Sequence, residues 1–347
     1  MNYLKTPSGK IRVLIVDDAA FMRKALVTIL SEDKEIEIVG VAKHGKYALE
    51  AIELLNPDVI TLDIDMPVMD GITALKHIMV QQPRPIIMAS ALADSGQVTL
   101  EALRLGAIDF FPKPSGTVSI NIEHQSHELI TIIKRASKIN RDAIVRARWK
   151  KPVKYATKIS DKNLAPEKLM VILANGGGST SYIRFLGNVP VTPEGAAIVV
   201  QCIHSQPLYS FCSELNNHVE WNLKTMPESE LVGGHCLLLP DFDYDVVSTK
   251  DKVKIQSCQT NTEQEKGAWL LPLVNRFKDN VHFFLLAGVP EDINMLKAIK
   301  NEGGQITILD PRNSISDEVC KLAIKERLGN PASEAEIWNI ASKFLKK

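Results

Sequence analysis

The chain has 347 residues, of which 45% are hydrophobic and 24% are charged, and its 41 basic and 41 acidic side chains balance to a formal charge of zero. These proportions are typical of an ordinary globular protein and give no electrostatic case for a nucleic-acid partner or for membrane insertion. No apolar run reaches the ~18 residues of a membrane span, and the first residues lack the apolar segment of a secretory signal. At roughly 150 residues per domain, the length predicts two domains.

Short apolar strands alternate with amphipathic helices through the first part of the chain. The predicted strands are Ile11–Val16, Ile36–Ala42, Val59–Leu62, Pro85–Ala89 and Asp109–Phe111. The predicted helices between them are Phe21–Ser31, Lys46–Leu55, Ile72–Gln81 and Gln97–Leu105, and a last helix contains Leu129. This alternation predicts an α/β fold with a doubly wound, five-stranded parallel sheet. In such a fold, ligands bind beyond the carboxyl ends of the strands.

Charged and hydroxyl side chains follow four of these strands. Asp17 and Asp18 end the first, Asp63 the third, Ser90 the fourth, and Lys113 follows the fifth. Carboxylates that meet at one sheet edge raise each other's pKa, and Mg²⁺ relieves that repulsion. A carboxylate beside Mg²⁺ can attack phosphorus, and the lysine can neutralise the phosphoryl oxygens. Taken singly, an aspartate after a strand is more often a turn residue or a helix cap.

Four strings between residues 11 and 116 closely resemble a response-regulator receiver domain: VLIVDDAAFMR, VITLDIDMPVMDG, IIMASA and GAIDFFPKP. The resemblance implies that Asp63 is the phosphoacceptor and that a histidine kinase supplies the phosphoryl group. It also implies Mg²⁺ as the cofactor, with Asp18 as a direct ligand, Asp17 acting through water, and Asp65 contributing its backbone carbonyl.

The same resemblance assigns roles around the phosphoryl group. It implies that Ser90 is the switch hydroxyl, that Lys113 contacts the phosphate, and that Phe110 is the aromatic switch residue. It further implies a cis bond between Lys113 and Pro114.

A basic segment separates the two halves of the chain. Lys134–Lys158 holds ten basic residues and a single acid, Asp142, and the pattern over Glu123–Arg148 predicts a helix. The basic run is interpreted as a solvated helix face and linker, with an acidic partner or a membrane surface as the alternative. The predicted domains are 1–117 for the receiver, 118–167 for a linker helix and basic linker, and 168–347 for a second α/β domain.

The second half repeats the strand pattern at Leu169–Ala174, Ala197–Cys202 and Val281–Leu286, in the stretch Glu230–Pro240, where glycines precede an apolar strand, and in the string EGGQITILD. With DAAFMRKAL, DVITLDIDMPVMDG and GAIDFFPKPSG in the receiver, this layout resembles the chemotaxis response-regulator methylesterases. The family joins a receiver, a linker helix and an α/β esterase that removes methyl groups from chemoreceptor glutamyl esters. The five cysteines form no CxxC pair, which favours a reduced, cytoplasmic protein without structural zinc.

The esterase triad of that family is degenerate in this chain. The resemblance places Gly176 at the nucleophilic serine and Cys202, after Gln201, at the histidine, whereas Asp292 matches the aspartate. We therefore predict a methylesterase-like domain without esterase activity. It would act as a phosphorylation-regulated module that binds a chemoreceptor or another signalling protein.

Three alternatives stay open. The first is an active methylesterase with a relocated Ser179–His204–Asp292 triad or a Cys202 nucleophile, although one helical turn moves an oxygen by ~5 Å against a tolerance of ~1 Å. The second is that autodephosphorylation of the receiver is the only chemistry. The third is that the glycine-rich turn after the strand Leu169–Ala174 cradles a phosphate.

Overall fold

The computed structural model describes residues 9–90, 96–113, 122–139, 144, 165–175, 177–201, 203, 205–225, 228–249, 252–258 and 266–346. The chain forms two compact units, Met1–Arg146 and Ala147–Lys347. The domain limits at 117 and 167 stay predictions. None of the described helices combines the length and the apolar character that crossing a membrane requires.

The first unit alternates strands and helices. Its strands are β1 (Ile11–Val16), β2 (Ile36–Ala42), β3 (Val59–Leu62), β4 (Ile86–Ser90) and β5 (Asp109–Pro112). Its helices are α1 (Ala20–Ser31), α2 (Gly45–Leu55), α3 (Gly71–Gln81), α4 (Gly96–Leu105) and α5 (Ile122–Ser137). The strands pair in parallel in the order β2-β1-β3-β4-β5, which confirms the predicted doubly wound sheet.

Local signals explain where these helices begin. The Asp70 carboxylate accepts the backbone N–H of Thr73 at 2.8 Å and caps α3, and His44 Nδ1 accepts the N–H of Tyr47 at 3.1 Å at the start of α2. A side-chain acceptor at this position satisfies a donor that the helix itself leaves unpaired. Both capped starts follow strand ends at the carboxyl edge of the sheet, so the caps fix the points at which the loops of this edge enter α2 and α3.

Helix α5 is shorter than the pattern over Glu123–Arg148 predicts. It ends at Ser137, because the N–H groups of Lys138 and Ile139 bond to carbonyls three residues back and tighten the last turn. It packs against α1, β3 and β4. Part of the predicted linker segment therefore covers the sheet of the first unit.

The first lysine of the basic run has a structural partner in the same unit. Lys134 Nζ lies 2.8 Å from an Asp33 carboxylate oxygen and 2.9 Å from Glu35 Oε1. The two acids hold the pKa of Lys134 above its usual value. At this position the basic run ties α5 to the turn before β2.

The second unit is built on a larger parallel sheet. Its strands are β6 (Lys168–Ala174), β7 (Gly195–Gln201), β8 (Asn222–Lys224), β9 (Glu228–Glu230), β10 (His235–Pro240), β11 (Tyr244–Ser248), β12 (Val253–Ser257), β13 (Val281–Ala287), β14 (Gln305–Leu309) and β15 (Asn330–Ala332). Its helices are α6 (Ser179–Asn188), α7 (Ser205–Leu215), α8 (Leu271–Phe277), α9 (Asp292–Asn301), α10 (Asp317–Lys325) and α11 (Glu334–Lys346).

Seven of these strands form one sheet in the order β15-β14-β13-β6-β7-β10-β8, and β11, β12 and β9 form a small antiparallel sheet. The second α/β domain is thereby confirmed, whereas the antiparallel sheet was not predicted. From β6 the chain runs outward to β7 and β10 on one side and later to β13, β14 and β15 on the other. The point where the direction reverses, between β6 and β13, is where such sheets form a crevice.

Burial explains why the central strands of this sheet are almost wholly apolar. Every residue of β7 and β13 is buried, and so is every residue of β6 after the first. A parallel strand covered on both faces reads as a continuous apolar run instead of an alternating one. Described aromatic residues that fill the core include Phe211, Phe283, Phe284 and Trp269.

The described cysteines behave as small apolar residues. Cys212, Cys236 and Cys320 are buried and form no disulfide within the described part of the chain. Burial raises the pKa of the Cys212 thiol to about 11 and that of Cys320 to about 12. Thiols with such pKa values are poor nucleophiles at neutral pH.

Candidate functional site

Three aspartates meet at the carboxyl edge of the first sheet. Asp17 and Asp63 are buried and Asp18 is exposed, and one carboxylate oxygen from each lies within 4.8 Å of the others. The backbone aligns them: the N–H of Asp63 donates to the Val16 carbonyl at 2.9 Å, and that of Asp17 to the Ala42 carbonyl at 3.0 Å. The convergence that the strand ends predict is present.

Lys113 places its ammonium between the two buried acids. Its Nζ atom lies 2.6 Å from Asp17 Oδ2 and 2.8 Å from Asp63 Oδ2. The other carboxylate oxygens accept backbone N–H groups, Asp17 Oδ1 from Ala19 at 2.9 Å and Asp63 Oδ1 from Ile64 at 2.7 Å. Burial raises the pKa of the Asp63 carboxyl, and Lys113 opposes that rise.

The charge balance of this cluster fits a hard divalent cation. Three ionised carboxylates and one ammonium leave a net charge of about −2 within a few ångströms. All candidate ligand atoms are oxygens, and the exposed Asp18 leaves the cluster open to water, as Mg²⁺ sites require. Within the described ranges, no second group of three Asp, Glu, His or Cys side chains comes equally close together.

A glycine fixes the loop that follows Asp63. The N–H of Gly71 donates to the Ile64 carbonyl at 2.8 Å and closes the loop onto the end of β3. A Cβ atom at this position would lie 1.9 Å from the Asp63 carbonyl oxygen, so no larger residue fits without moving the backbone. Asp63, the predicted phosphoacceptor, thus lies between a strand end that is bonded to β1 and a loop that is closed by Gly71.

The other predicted receiver residues are placed to different degrees. Phe110 is buried in β5, and Asp65 is exposed in the loop after β3. Ser90 ends β4 beside Pro112 of β5, but its side chain is outside the description. Pro114 also lies outside the described residues, so the cis Lys113–Pro114 bond stays a prediction.

The corresponding edge of the second sheet has a different arrangement. Asp292 is the first residue of α9 and is 2% exposed. Its Oδ2 atom accepts the N–H of Val289 at 2.9 Å, and its Oδ1 atom accepts from Lys266 Nζ, also at 2.9 Å. Lys266 Nζ lies 2.8 Å from Asp241 Oδ2 as well. Both oxygens of Asp292, the predicted triad aspartate, are therefore engaged.

Lys266 and Asp292 shift each other's pKa values. Burial alone would lower the pKa of the Lys266 ammonium, but Asp292 and Asp241 outweigh it and raise that pKa. Burial raises the pKa of the Asp292 carboxyl, and Lys266 limits the rise. Sequence reasoning did not identify Lys266, because it lies in no periodic segment and is separated from Asp292 by 26 positions.

The remaining residues of the predicted degenerate site are only partly described. Gly176, Cys202 and His204 lie outside the described residues, so the structure does not test the relocated triad. Ser179 opens α6, is fully buried, and in the described part of the chain its Oγ atom has no hydrogen-bond partner. A nucleophile needs access to its substrate, and this hydroxyl has none in the present conformation.

Comparisons with known proteins agree with this division of the chain. Residues 13–122 match the response regulator receiver domain, and residues 170–340 match the CheB methylesterase domain. The structure thus belongs to the class of chemotaxis response regulators in which a receiver precedes a methylesterase domain. The response regulator domain of Thermotoga maritima CheB is 45% identical and covers 38% of this chain and 98% of its own, with a TM-score of 0.36.

Whole-length relatives define the family. A protein-glutamate methylesterase/protein-glutamine glutaminase of Caldanaerobacter subterraneus is 31% identical over 97% of this chain and 96% of its own. One from Pyrococcus horikoshii is 39% identical over 91% of this chain and 88% of its own. A third, from Carboxydothermus hydrogenoformans, is 38% identical over 64% of each chain, under two thirds of that relative's length. The chain belongs to the protein-glutamate methylesterase/protein-glutamine glutaminase family.

Proposed function

We propose that this chain is a phosphorylation-controlled response regulator in which Asp63 accepts a phosphoryl group from a histidine kinase of a chemotaxis-type pathway. The observation that carries the proposal is the convergence of Asp17, Asp18 and Asp63 around the ammonium of Lys113. A carboxylate oxygen of Asp63 attacks phosphorus, the bond to the kinase histidine breaks, and an acyl phosphate remains.

The residues around Asp63 have different roles in this phosphoryl transfer. Asp17, Asp18, Asp63 and the Asp65 carbonyl would hold Mg²⁺, which would neutralise charge on the phosphoryl oxygens when bound. Lys113 is within salt-bridge distance of Asp63, so its ammonium can interact with the phosphoryl oxygens once Asp63 carries the phosphoryl group. The hydrogen bond from the Ile64 N–H orients the attacking carboxylate.

Phosphorylation then changes the sheet edge electrostatically. An acyl phosphate adds roughly −1.5 to −2 charge beside Asp17 and Asp18. We assign Ser90 as the hydroxyl that donates to the new phosphoryl oxygen, and Phe110 as the buried ring that moves with it. Such a two-position switch would carry the signal away from the acidic edge.

The second unit serves in this proposal as a regulated protein-binding module derived from a methylesterase. Gly176 and Cys202 offer neither a hydroxyl nucleophile nor an imidazole at the family's positions. The engaged oxygens of Asp292 support the same conclusion. The relatives are named for methylesterase and glutaminase activity, so the partner we propose is a chemoreceptor or another signalling protein that the module binds without hydrolysing it.

A second candidate function is an active methylesterase. It is favoured by the names of the relatives, by Asp292 at the family's aspartate position, and by the Ser179 hydroxyl, whose hydrogen-bonding capacity no described residue uses. Methanol release from methylated receptor membranes tests it. Release by the wild type that disappears in Ser179→Ala would establish this second function.

Labelling by acetyl phosphate in the presence of Mg²⁺ tests the primary proposal. We expect the wild type to take up one phosphoryl group and Asp63→Asn to take up none. Asp65→Asn is the matched control, because it changes an exposed carboxylate in the same loop and keeps the backbone carbonyl. Labelling that persists in Asp63→Asn, or that is lost equally in Asp65→Asn, would remove Asp63 from the mechanism.

A further inference from the structure

The retained aspartate of the former triad has acquired a different cationic neighbour. Asp292 is buried, and Lys266 is the side chain that meets its Oδ1 atom, 39% exposed and also within 2.8 Å of Asp241. In a serine–histidine–aspartate triad, the aspartate orients an imidazole and stabilises the imidazolium that forms. Here the charge that performs this task is already neutralised by an ammonium.

The position of Lys266 is fixed by the chain that follows it. The N–H of Gly267 donates to Asp243 Oδ1 at 3.2 Å. Gly267 has a φ of +77°, and a Cβ atom there would lie 2.3 Å from the Met295 sulfur of α9. The lysine is therefore held at the start of a 3₁₀ turn that packs on α9, and not merely by its own ion pairs.

The three charged residues connect two separate loops of the sheet. Asp241 follows β10, and Asp292 begins the helix after β13. In the sheet order, β6 and β7 lie between those two strands. In the sequence, Gly176 and Cys202 follow the strands β6 and β7, so the ion pairs join the loops after the two strands that lie on either side of these.

We infer that Lys266 has replaced the imidazole as the charge partner of Asp292, and that this aspartate is now a structural tie between the loops after β10 and β13. The inference rests on the proposed loss of the esterase triad. In the family's triad an imidazolium forms beside this aspartate, where it would meet the Lys266 ammonium, and two like charges repel one another. Restoring a serine and a histidine without removing Lys266 therefore leaves the constellation incomplete.

A double-mutant cycle on thermal unfolding of the full chain tests the tie. We expect Lys266→Met to lower the melting temperature of the second unit by roughly 5 °C or more, because it leaves buried Asp292 unpaired. Adding Asp292→Asn should restore part of that loss, since position 292 then carries no buried charge. Lys266→Arg keeps the charge and serves as the conservative variant that should stay close to the wild type.

An exposed ion pair in the same unit is the matched control. Lys297 Nζ lies 3.2 Å from Glu326 Oε2 with both side chains about equally exposed to solvent, so Lys297→Met and Glu326→Gln should lower the melting temperature additively. A coupling between Lys266 and Asp292 no larger than this control would overturn the inference. The readout does not depend on catalysis: methanol release by the wild type would refute the proposed function and the replacement of the imidazole, whereas the coupling measures separately whether Lys266 and Asp292 stabilise the fold.

A second measurement reads the imidazole directly. Cys202→His is made with Lys266 present and again with Lys266→Met, and the pKa of the introduced ring is followed by NMR. We expect the pKa to rise on removal of the lysine, because Asp292 then becomes available to the imidazolium. A ring whose pKa is equally high in both backgrounds would show that Lys266 does not compete for Asp292.

Discussion

The carboxyl edges of the two parallel sheets each place one lysine between two aspartates. In the first unit Lys113 bridges Asp17 and Asp63, and in the second Lys266 bridges Asp241 and Asp292. The residue types, the distances of 2.6 to 2.9 Å and the position at the sheet edge are the same. The two sites nevertheless suit different tasks.

The difference lies in what the lysine leaves uncompensated. Beside Lys113 there is a third carboxylate, that of Asp18, which is exposed. One carboxylate oxygen from each of the three acids lies within 4.8 Å of the others. Beside Lys266, the buried Asp292 has both oxygens engaged. A surplus of converging oxygens favours a divalent cation and a phosphoryl group, whereas a satisfied pair favours a structural contact. Asp17 and Asp63 also have both oxygens engaged, so the first edge differs from the second in the additional, exposed carboxylate of Asp18.

Removal of the metal should separate the two edges most sharply. We expect EDTA to reduce phosphoryl labelling by acetyl phosphate at least roughly a hundredfold, because metal charge neutralisation contributes several kcal/mol to such transfers. The unfolding temperature of the second unit should stay unchanged. EDTA saturated beforehand with Mg²⁺ is the control for the chelator itself. Labelling that survives chelation would mean that the acidic cluster does not work as a metal site.

The sequence was sufficient for the first edge and insufficient for the second. The bounds predicted for β1 and β3 are those observed, since each is an apolar run that ends in an aspartate. Parallel strand ends meet by geometry, so Asp17, Asp63 and Lys113 could be placed together without coordinates. Their roles as metal and phosphoryl contacts stay predictions.

The second edge shows the limit of that reasoning. In the first unit the differences are small: helices α2 and α3 begin one residue earlier than predicted, because glycine, which weakens a helix interior, is tolerated at its first position. In the second unit they are larger. The antiparallel sheet and Lys266 were missed altogether. Lys266 lies in a loop, and its partners are set by how distant loops fold over the sheet, which periodicity does not encode.

Glycines next to the two acids offer the next largest effect. A Cβ atom at Gly71 would meet the Asp63 carbonyl at 1.9 Å, whereas one at Gly288 would meet the Asp292 side chain at 2.7 Å. We expect Gly71→Ala to cost about 4 kcal/mol and Gly288→Ala about 1–2 kcal/mol in urea unfolding, because backbone yields less than a side chain.

A glycine without close neighbours controls for this pair. Gly187 in α6 has nothing within 4 Å of a Cβ atom, so Gly187→Ala should stabilise the protein by about 0.5–1 kcal/mol through helix propensity. Equal losses at Gly71 and Gly288 would mean that the two acidic residues are held with the same rigidity, contrary to the comparison.

Replacement of Lys113 tests whether the edge of the first sheet is the one that binds a divalent cation. Lys113→Met should destabilise the first unit by about 3 kcal/mol without Mg²⁺, because Asp17 and Asp63 are left unpaired in a buried site. Added Mg²⁺ should stabilise this variant more than the wild type, as a cation replaces the lost charge. Lys266→Met is the matched variant, and Mg²⁺ should not repair it. Repair of both variants would erase the distinction between the edges.

Acid unfolding offers the smallest effect, and its sign separates the groups. Burial raises the pKa of Asp63 and of Asp292, so each adds stability when protonated at low pH and loses that contribution as pH rises through its folded pKa. Burial lowers the pKa of His282 from 6.5 to about 4, so its contribution is present above pH 6.5 and is lost as pH falls towards 4.

His282 lies at the start of β13, opposite the edge that carries Asp292, and its Nε2 atom is 2.8 Å from Thr307 Oγ1. We expect His282→Gln to remove up to about 3 kcal/mol of acid sensitivity between pH 6.5 and 4, measured as urea unfolding of the second unit. Asp292→Asn should change the same profile in the opposite direction. The contrary outcome is a profile that His282→Gln leaves unchanged and that Asp292→Asn makes less sensitive to acid. It would mean that Lys266 stabilises the ionised Asp292 carboxylate by more than burial destabilises it.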